Sequence, residues 1–194
     1  MQQSLSKCLS LSLEGHISLW RTRRETLVWL VALIIQTGTV SLWRLAGHVD
    51  TGAKTLSVHR RFERFFQHVH LDEASVARLI VHIMGLKDKP WHLAVDRTNW
   101  KFGRCHINIL MLGIVHEKVC IPLFWVLLGK AGNSNARERT DLMGRLNKAF
   151  PDQSIASLSG DREFIGEKWM SWLESQSIPF VLRLKENIHV WNEN

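Results

Sequence analysis

The spacing of apolar residues predicts that the chain has two differently built parts. In the first part the apolar positions recur at helical intervals. Residues 23–36 predict a helix that is apolar nearly all round and therefore buried, and residues 40–46 predict a short second helix. Ser57 is placed to cap a third helix and Asp72 a fourth. The sequence therefore predicts a helical domain over residues 1–88.

After a polar segment around Pro90, the pattern changes to short apolar runs that are typical of strands. The predicted elements are strands at 91–96, 106–115 and 119–128, a helix from Asn135, a strand at 155–161, a helix from Ile165, and a strand at 179–184. This β-β-β-α-β-α-β order is the one that ribonuclease H-like folds use. We therefore expect an α/β (α+β) fold, in which the helical domain is followed, over residues 89–194, by an incomplete ribonuclease H-like mixed sheet with flanking helices.

Two details of the second part give sharper expectations. Pro122 cannot donate a backbone hydrogen bond to a neighbouring strand, which places the third strand at an edge of the sheet. Glu138 lies three residues after Asn135, which is the spacing of a capping box at the start of a helix.

The charge of the chain favours a polyanionic partner. Its 194 residues include 25 Lys and Arg against 18 Asp and Glu, a formal net charge of +7. DNA or RNA is the simplest such partner, although a basic protein without one has the same composition. The longest apolar run, residues 27–35, is too short for a membrane span, which needs about 20 residues. Three cysteines without a C-x-x-C spacing argue against a zinc ribbon and fit a reducing, cytoplasmic compartment.

Asp96 and Asp161 are the candidate catalytic residues, because each ends a predicted strand. In the expected topology the two strands lie side by side in parallel, so the two carboxylates become neighbours. Carboxylates so close repel each other and need a cation between them, and Mg²⁺ suits oxygen ligands. For either aspartate alone, a turn residue or a surface ion-pair partner is the simpler interpretation. The two together, on a basic chain, predict a divalent-metal site that acts on phosphate.

Short motifs surround both aspartates. Residues 95–100 read Val-Asp-Arg-Thr-Asn-Trp, and residues 159–164 read Ser-Gly-Asp-Arg-Glu-Phe. The two segments resemble the first and second acid motifs of the DDE transposases that bacterial insertion sequences encode. Residues 180–185 resemble the strand that follows in this family.

The resemblance implies a ribonuclease H-like catalytic domain that uses Mg²⁺ (or Mn²⁺) for hydrolysis and strand transfer on DNA. It implies that Asp96 and Asp161 are catalytic residues and metal ligands, and that Arg162 contacts a phosphate or organises the site. The implied partners are the double-stranded DNA of transposon ends and a second copy of the chain in a synaptic complex. The implied location is the bacterial cytoplasm, at the nucleoid and away from any membrane.

The family's third motif, Y-x₂-R-x₃-E-x₆-K, has no counterpart in this sequence. The chain contains no Tyr, and the acids after the last predicted strand are Glu186 and Glu193. Neither fits the motif, and solvated surface acids are the simpler interpretation. We therefore expect a C-terminally truncated transposase whose isolated metal site lacks a ligand. The sequence does not decide whether this chain is an active enzyme.

The helical part suggests a DNA contact of its own. Residues 39–46 and the helix from Ser57 could form a helix-turn-helix, with Arg60, Arg61 and Arg64 on the exposed side of its second helix. A helical bundle with a solvated basic face is the alternative.

Three functions are compatible with the sequence. The first is a transposase fragment that, when complete, performs Mg²⁺-dependent phosphodiester hydrolysis and strand transfer. In such an enzyme Trp100, which closely follows the first acid motif, is a candidate to line the DNA channel. The second is a catalytically inactive DNA-binding protein that regulates or inhibits transposition. The third is a nuclease of the same fold with a different third ligand.

Overall fold

Helices build the first part of the molecule. The computed structural model describes residues 2–184, and the chain divides into a first unit, Met1–Leu79, and a second unit, Ile80–Asn194. The helices are α1 (Gln2–Glu14), α2 (Arg21–Thr37), α3 (Leu42–Ala46), α4 (Thr55–His68) and α5 (Glu73–Ile83), of which the last runs past Leu79.

Two apolar clusters hold the first unit together. The larger joins α2, α3 and α4 through the buried side chains of Leu30, Leu33, Leu45, Val58, Phe62 and Phe65. The smaller places Leu13 and Ile17 beside Val28 of α2 and Leu79 of α5. The side of α4 that carries Val58, Phe62 and Phe65 therefore faces the core, whereas Phe66 is 62% exposed.

The ends of the helices test the predicted caps. Asp72 caps α5, because its carboxylate accepts a hydrogen bond of 2.8 Å from the backbone N–H of Ser75. The prediction for Ser57 is wrong, since α4 begins at Thr55 and its N-cap residue is Lys54. Helix α1 has no counterpart among the predicted elements.

Five strands form a single sheet in the second unit. β1 (Trp91–Phe102), β2 (Cys105–His116) and β3 (Val119–Leu128) form an antiparallel meander. β4 (Ile155–Gly160) pairs with β1 in parallel, and β5 (Phe180–Leu182) pairs with β4 in parallel. The order β3-β2-β1-β4-β5 is the predicted mixed sheet, and it confirms the α/β (α+β) ribonuclease H-like fold class.

Helices lie beside one face of this sheet. α6 (Ala136–Ala149) packs against β2 and β3, and α7 (Glu167–Ser175) packs against α6. A single 3-10 turn (Arg162–Phe164) connects β4 to α7. The buried side chains of the sheet alternate with exposed or half-buried ones; the buried set includes Leu93, Val95, Leu110, Leu112 and Leu158.

Local predictions for the second unit have mixed outcomes. Pro122 lies in the edge strand β3, next to an irregularity in its pairing with β2, and the capping box of Asn135 and Glu138 is present. The predicted end of β1 at Asp96 is wrong, because β2 continues to pair with β1 as far as Phe102. Asp96 therefore lies inside a strand.

Candidate active site

The pairing of β1 with β4 brings the two candidate aspartates together. Val95 and Gly160 are direct partners in this parallel pair, and they immediately precede Asp96 and Asp161. The backbone of Asp161 is still extended (φ −74°, ψ 173°), although β4 has ended. Because neighbouring strands lie about 4.8 Å apart, the two aspartates occupy adjacent positions across the sheet.

Both carboxylates project from the same side of the sheet. The Nδ1 atom of His92 lies 2.8 Å from the hydroxyl oxygen of Ser157. His92 is four residues before Asp96, and Ser157 is four residues before Asp161. Side chains four residues apart on a strand share a side, so this contact assigns Asp96 and Asp161 to one side. Leu93 and Leu158, which are partners in the register, occupy the buried side.

The two aspartates share one local geometry. Each is exposed, and one oxygen (Oδ1) of each accepts a hydrogen bond of 2.7 Å from the backbone N–H of the next residue. That next residue is an arginine in both cases, Arg97 or Arg162. These backbone hydrogen bonds thus orient both exposed carboxylates.

An ion pair joins the segments that carry the two aspartates. Arg97 donates from Nε and Nη2 to the two carboxylate oxygens of Glu163, both at 2.8 Å. Their side chains are 12% and 20% exposed, so the pair is largely shielded from water. This two-point contact ties β1, just after Asp96, to the 3-10 turn just after Asp161.

Two polar side chains extend the contacts of this ion pair. The buried amide of Asn108 accepts a hydrogen bond from Arg97 at 3.1 Å and donates to the carbonyls of Lys130 and Gly132. The buried guanidinium of Arg139 donates to the carbonyls of Glu163 and Phe164. Strand β2, helix α6 and the 3-10 turn therefore all support the strand ends that carry the aspartates.

The negative charge of Asp96 raises the pKa of two neighbouring side chains, Arg97 and Cys120. The hydrogen bond to Glu163 raises the pKa of Arg97, against an opposing effect of burial, and the charge of Asp96 adds to the increase. Burial raises the pKa of the Cys120 thiol, and Asp96 raises it further. The thiol therefore stays neutral near pH 7, and a neutral thiol is a poor ligand for a hard cation such as Mg²⁺.

The family model of the transposase DDE domain matches residues 87–193, which is more than half of the chain. The chain belongs to the DDE transposase family. The matched segment contains both aspartates and the whole sheet. Among curated proteins, none matches the chain.

Solved structures with distant similarity come from integrases and transposases. The HTLV-2 integrase catalytic core domain, in complex with magnesium, is 10% identical over 47% of this chain and 59% of that chain, with a TM-score of 0.36. A chain of the Mos1 strand transfer complex is 11% identical over 84% of this chain and 59% of that chain, with a TM-score of 0.35. The present chain thus covers little more than half the length of each of these two proteins, 59% in both cases.

The donor set suits a cation that needs few protein ligands. Mg²⁺ keeps several waters and is commonly held by one or two carboxylates together with substrate phosphates, which is what Asp96 and Asp161 can offer. Within residues 2–184, no group of three His, Cys, Asp or Glu side chains could hold a metal ion. Glu186 and Glu193, the acids considered for the third position, lie outside the described residues.

The arginines predicted to contact DNA differ in their environments. Arg60 and Arg64 are exposed on α4, and Arg162 is exposed beside Asp161. Arg61 is half-buried: it donates 2.7 Å hydrogen bonds to the hydroxyl of Thr26 and the carbonyl of Thr22, and its guanidinium lies 4.3 Å from the ring centroid of Trp29. The contacts of Arg61 are thus those of a residue that joins α4 to α2.

Sequence reasoning missed the residues that support the site. Glu163 is part of the quoted second motif, but its pairing with Arg97 depends on a contact between distant segments. Asn108 gives a clearer signal, since it interrupts the apolar run of β2 and a buried amide needs hydrogen-bond partners.

Among the described residues, no helix is long and apolar enough to cross a membrane.

Proposed function

We propose that the chain is a transposase of the bacterial insertion-sequence group, which acts on the double-stranded DNA of transposon ends in the bacterial cytoplasm. Asp96 and Asp161 are its catalytic residues and hold Mg²⁺ (or Mn²⁺). The observation that supports this proposal is the register of β1 with β4, which pairs Val95 with Gly160, the residues immediately before the two exposed aspartates.

The residues around the cation have separate tasks in this proposal. When bound, the cation activates a water or a DNA 3′-OH and neutralises charge on the leaving oxygen. Asp96 and Asp161 hold it through the oxygens that do not accept backbone hydrogen bonds. Arg162, exposed beside Asp161, is placed to contact the phosphate. Arg97 and Glu163 keep the two carboxylates in position.

The helical unit supplies DNA affinity in this proposal. Arg60 and Arg64 project from the exposed side of α4, on the side opposite the buried Phe62. Arginines on such a face can contact phosphates or guanine edges. A second copy of the chain in a synaptic complex fits the predicted handling of two transposon ends.

A catalytically inactive regulator that binds the same DNA is the second candidate function. It is favoured by the two-carboxylate donor set, which lacks a third acid among residues 2–184. Such a protein would bind transposon ends through α4 without cleaving them.

DNA cleavage in the presence of Mn²⁺ separates the two candidates. If the chain is the transposase, the wild type nicks transposon-end DNA, and Asp96→Asn and Asp161→Asn each reduce the rate at least about 100-fold, because a metal ligand is lost. Asp152→Asn, which changes an exposed carboxylate after α6, is the matched control and should retain the rate. Binding without cleavage would favour the regulator, and cleavage that survives both site substitutions would contradict the proposed active site.

A further inference from the structure

The hairpin of β1 and β2 extends beyond the strands on either side of it. β4 pairs with β1 only as far as Val95, and β3 pairs with β2 only from Asn108 onwards. Residues 99–107, here called the hairpin arm, therefore have neighbours in the sheet only within the hairpin itself. The arm turns at Gly103, whose φ of 58° suits a tight connection.

Two aromatic side chains of the arm are unusually exposed. Trp100 is 61% exposed and Phe102 is 79% exposed. Both lie at even-numbered positions of β1, as Asp96 does, so they project from the side of the strand that carries the candidate catalytic carboxylate. The rise of about 3.3 Å per residue places Trp100 roughly 13 Å along the strand from Asp96.

The charge of the arm is entirely positive. Lys101 and Arg104 are exposed, and the sequence contains no Asp or Glu between Asp96 and Glu117. An apolar surface meant for a neutral protein partner does not need cations around its aromatic rings. Aromatic rings among cations are instead what proteins use to bind single-stranded nucleic acid, since bases stack on the rings and phosphates pair with the cations.

We propose that the hairpin arm binds unpaired bases of the DNA strand next to the cleaved phosphate, by stacking them on Trp100 and Phe102. Arg104, in the turn of the arm, attracts the phosphates of the same strand, and Lys101, on the other side of β1, adds to the positive charge of the arm. This inference rests on the proposed function, because it needs DNA at Asp96 and Asp161. It adds a preference for unpaired or frayed DNA at the transposon end, which the carboxylates alone do not provide.

The test compares two DNA probes of the same sequence, a blunt duplex and a duplex with a short single-stranded tail that contains 2-aminopurine. We expect the wild-type chain to bind the tailed probe more tightly and to quench the 2-aminopurine fluorescence, as stacking does. The double variant Trp100→Ala/Phe102→Ala should lose roughly ten-fold in affinity for the tailed probe, lose the quenching, and keep its affinity for the blunt duplex.

A matched control uses Leu127 of β3, which is 67% exposed and belongs to the same side of the sheet but not to the arm. Leu127→Ala should bind both probes as the wild type does. Wild-type affinity and quenching in the double variant would overturn the inference while leaving the proposed function intact. A wild-type chain that binds neither probe would reject the proposed function as well.

The competing occupant is a second copy of the chain. Sedimentation of the wild type and of the double variant, without DNA, tests it. If the substitutions change the oligomeric state but not the binding of the tailed probe, the arm is a contact between copies and the inference is wrong.

Discussion

The two Asp-Arg dipeptides of the site have the same sequence and different fates. In both, the aspartate is exposed and accepts a 2.7 Å hydrogen bond from the arginine backbone. Arg97, however, lies inside β1 and pairs with Glu163 with only 12% of its side chain exposed, whereas Arg162 begins a 3-10 turn and is exposed. Because alternate residues of a strand face opposite sides, a strand that continues past the aspartate turns the arginine inward.

The difference shows that one dipeptide can serve two purposes. The first arginine ties β1 to the 3-10 turn through Glu163, and the second is exposed to solvent. Position relative to the end of the strand, rather than residue type, decides between these roles. Substitution of Arg97 should therefore affect mainly the stability of the fold, whereas substitution of Arg162 should affect mainly the binding of DNA.

The largest expected effect is on the stability of the fold. Arg97→Ala leaves the largely buried carboxylate of Glu163 without its partner, and we expect a loss of about 3 kcal/mol in the free energy of unfolding. Arg162→Ala, at an exposed position, should change it by less than about 0.5 kcal/mol. Urea denaturation of both variants measures the contrast, and equal losses would remove the distinction between the two arginines.

A double-mutant cycle sharpens this result. If Arg97 and Glu163 act through each other, the double variant Arg97→Ala/Glu163→Ala should lose much less than the sum of the two single losses. Additive losses would mean that the two side chains stabilise the fold independently, against the 2.8 Å two-point contact.

The capping box of α6 should give a smaller effect with a defined pH dependence. Although burial raises the pKa of Glu138, hydrogen bonds from Lys130 and the Asn135 backbone lower it more, so the pKa is below its usual value. A depressed pKa means that the carboxylate stabilises the fold above its unfolded pKa, about 4.3, and that this contribution is lost as the pH falls through the folded pKa. Glu138→Gln should cost about 1 kcal/mol at pH 7.

Thermal unfolding of the wild type and of Glu138→Gln, from pH 7 to pH 3, measures this contribution. The difference between the two proteins should shrink as the pH falls below 4. A difference that stays constant with pH would show that the charge of Glu138 does not stabilise the helix start.

The smallest expected effect concerns DNA. Arg162→Ala should weaken binding a few-fold and reduce the salt-dependence slope by about one, as the loss of a single phosphate contact does. Arg97→Gln, which removes a guanidinium that faces Glu163, should leave the slope unchanged. Fluorescence anisotropy over a range of salt concentrations measures both, and a reduced slope in Arg97→Gln alone would reverse the assignment of the two arginines.

The sequence predicted the types and succession of the strands and helices of the second unit because these depend on local patterns. Alternating apolar residues mark β1, and an isolated Asn135 with Glu138 marks the start of α6. The partner of Arg97 could not be predicted in this way, since Glu163 meets it only after β4 has paired with β1. The extension of β1 past Asp96 was hidden for the same reason: its polar residues are held by pairing with β2, and not by burial.

Binding of Mn²⁺, followed by electron paramagnetic resonance, tests the central claim that Asp96 and Asp161 share one cation. We predict that the wild-type chain binds one ion and that Asp96→Asn and Asp161→Asn each reduce the affinity at least about ten-fold, with Asp152→Asn as the unaffected control. The double variant should be little worse than either single one, since both substitutions remove the same site. Wild-type affinity in either single variant would contradict the shared site.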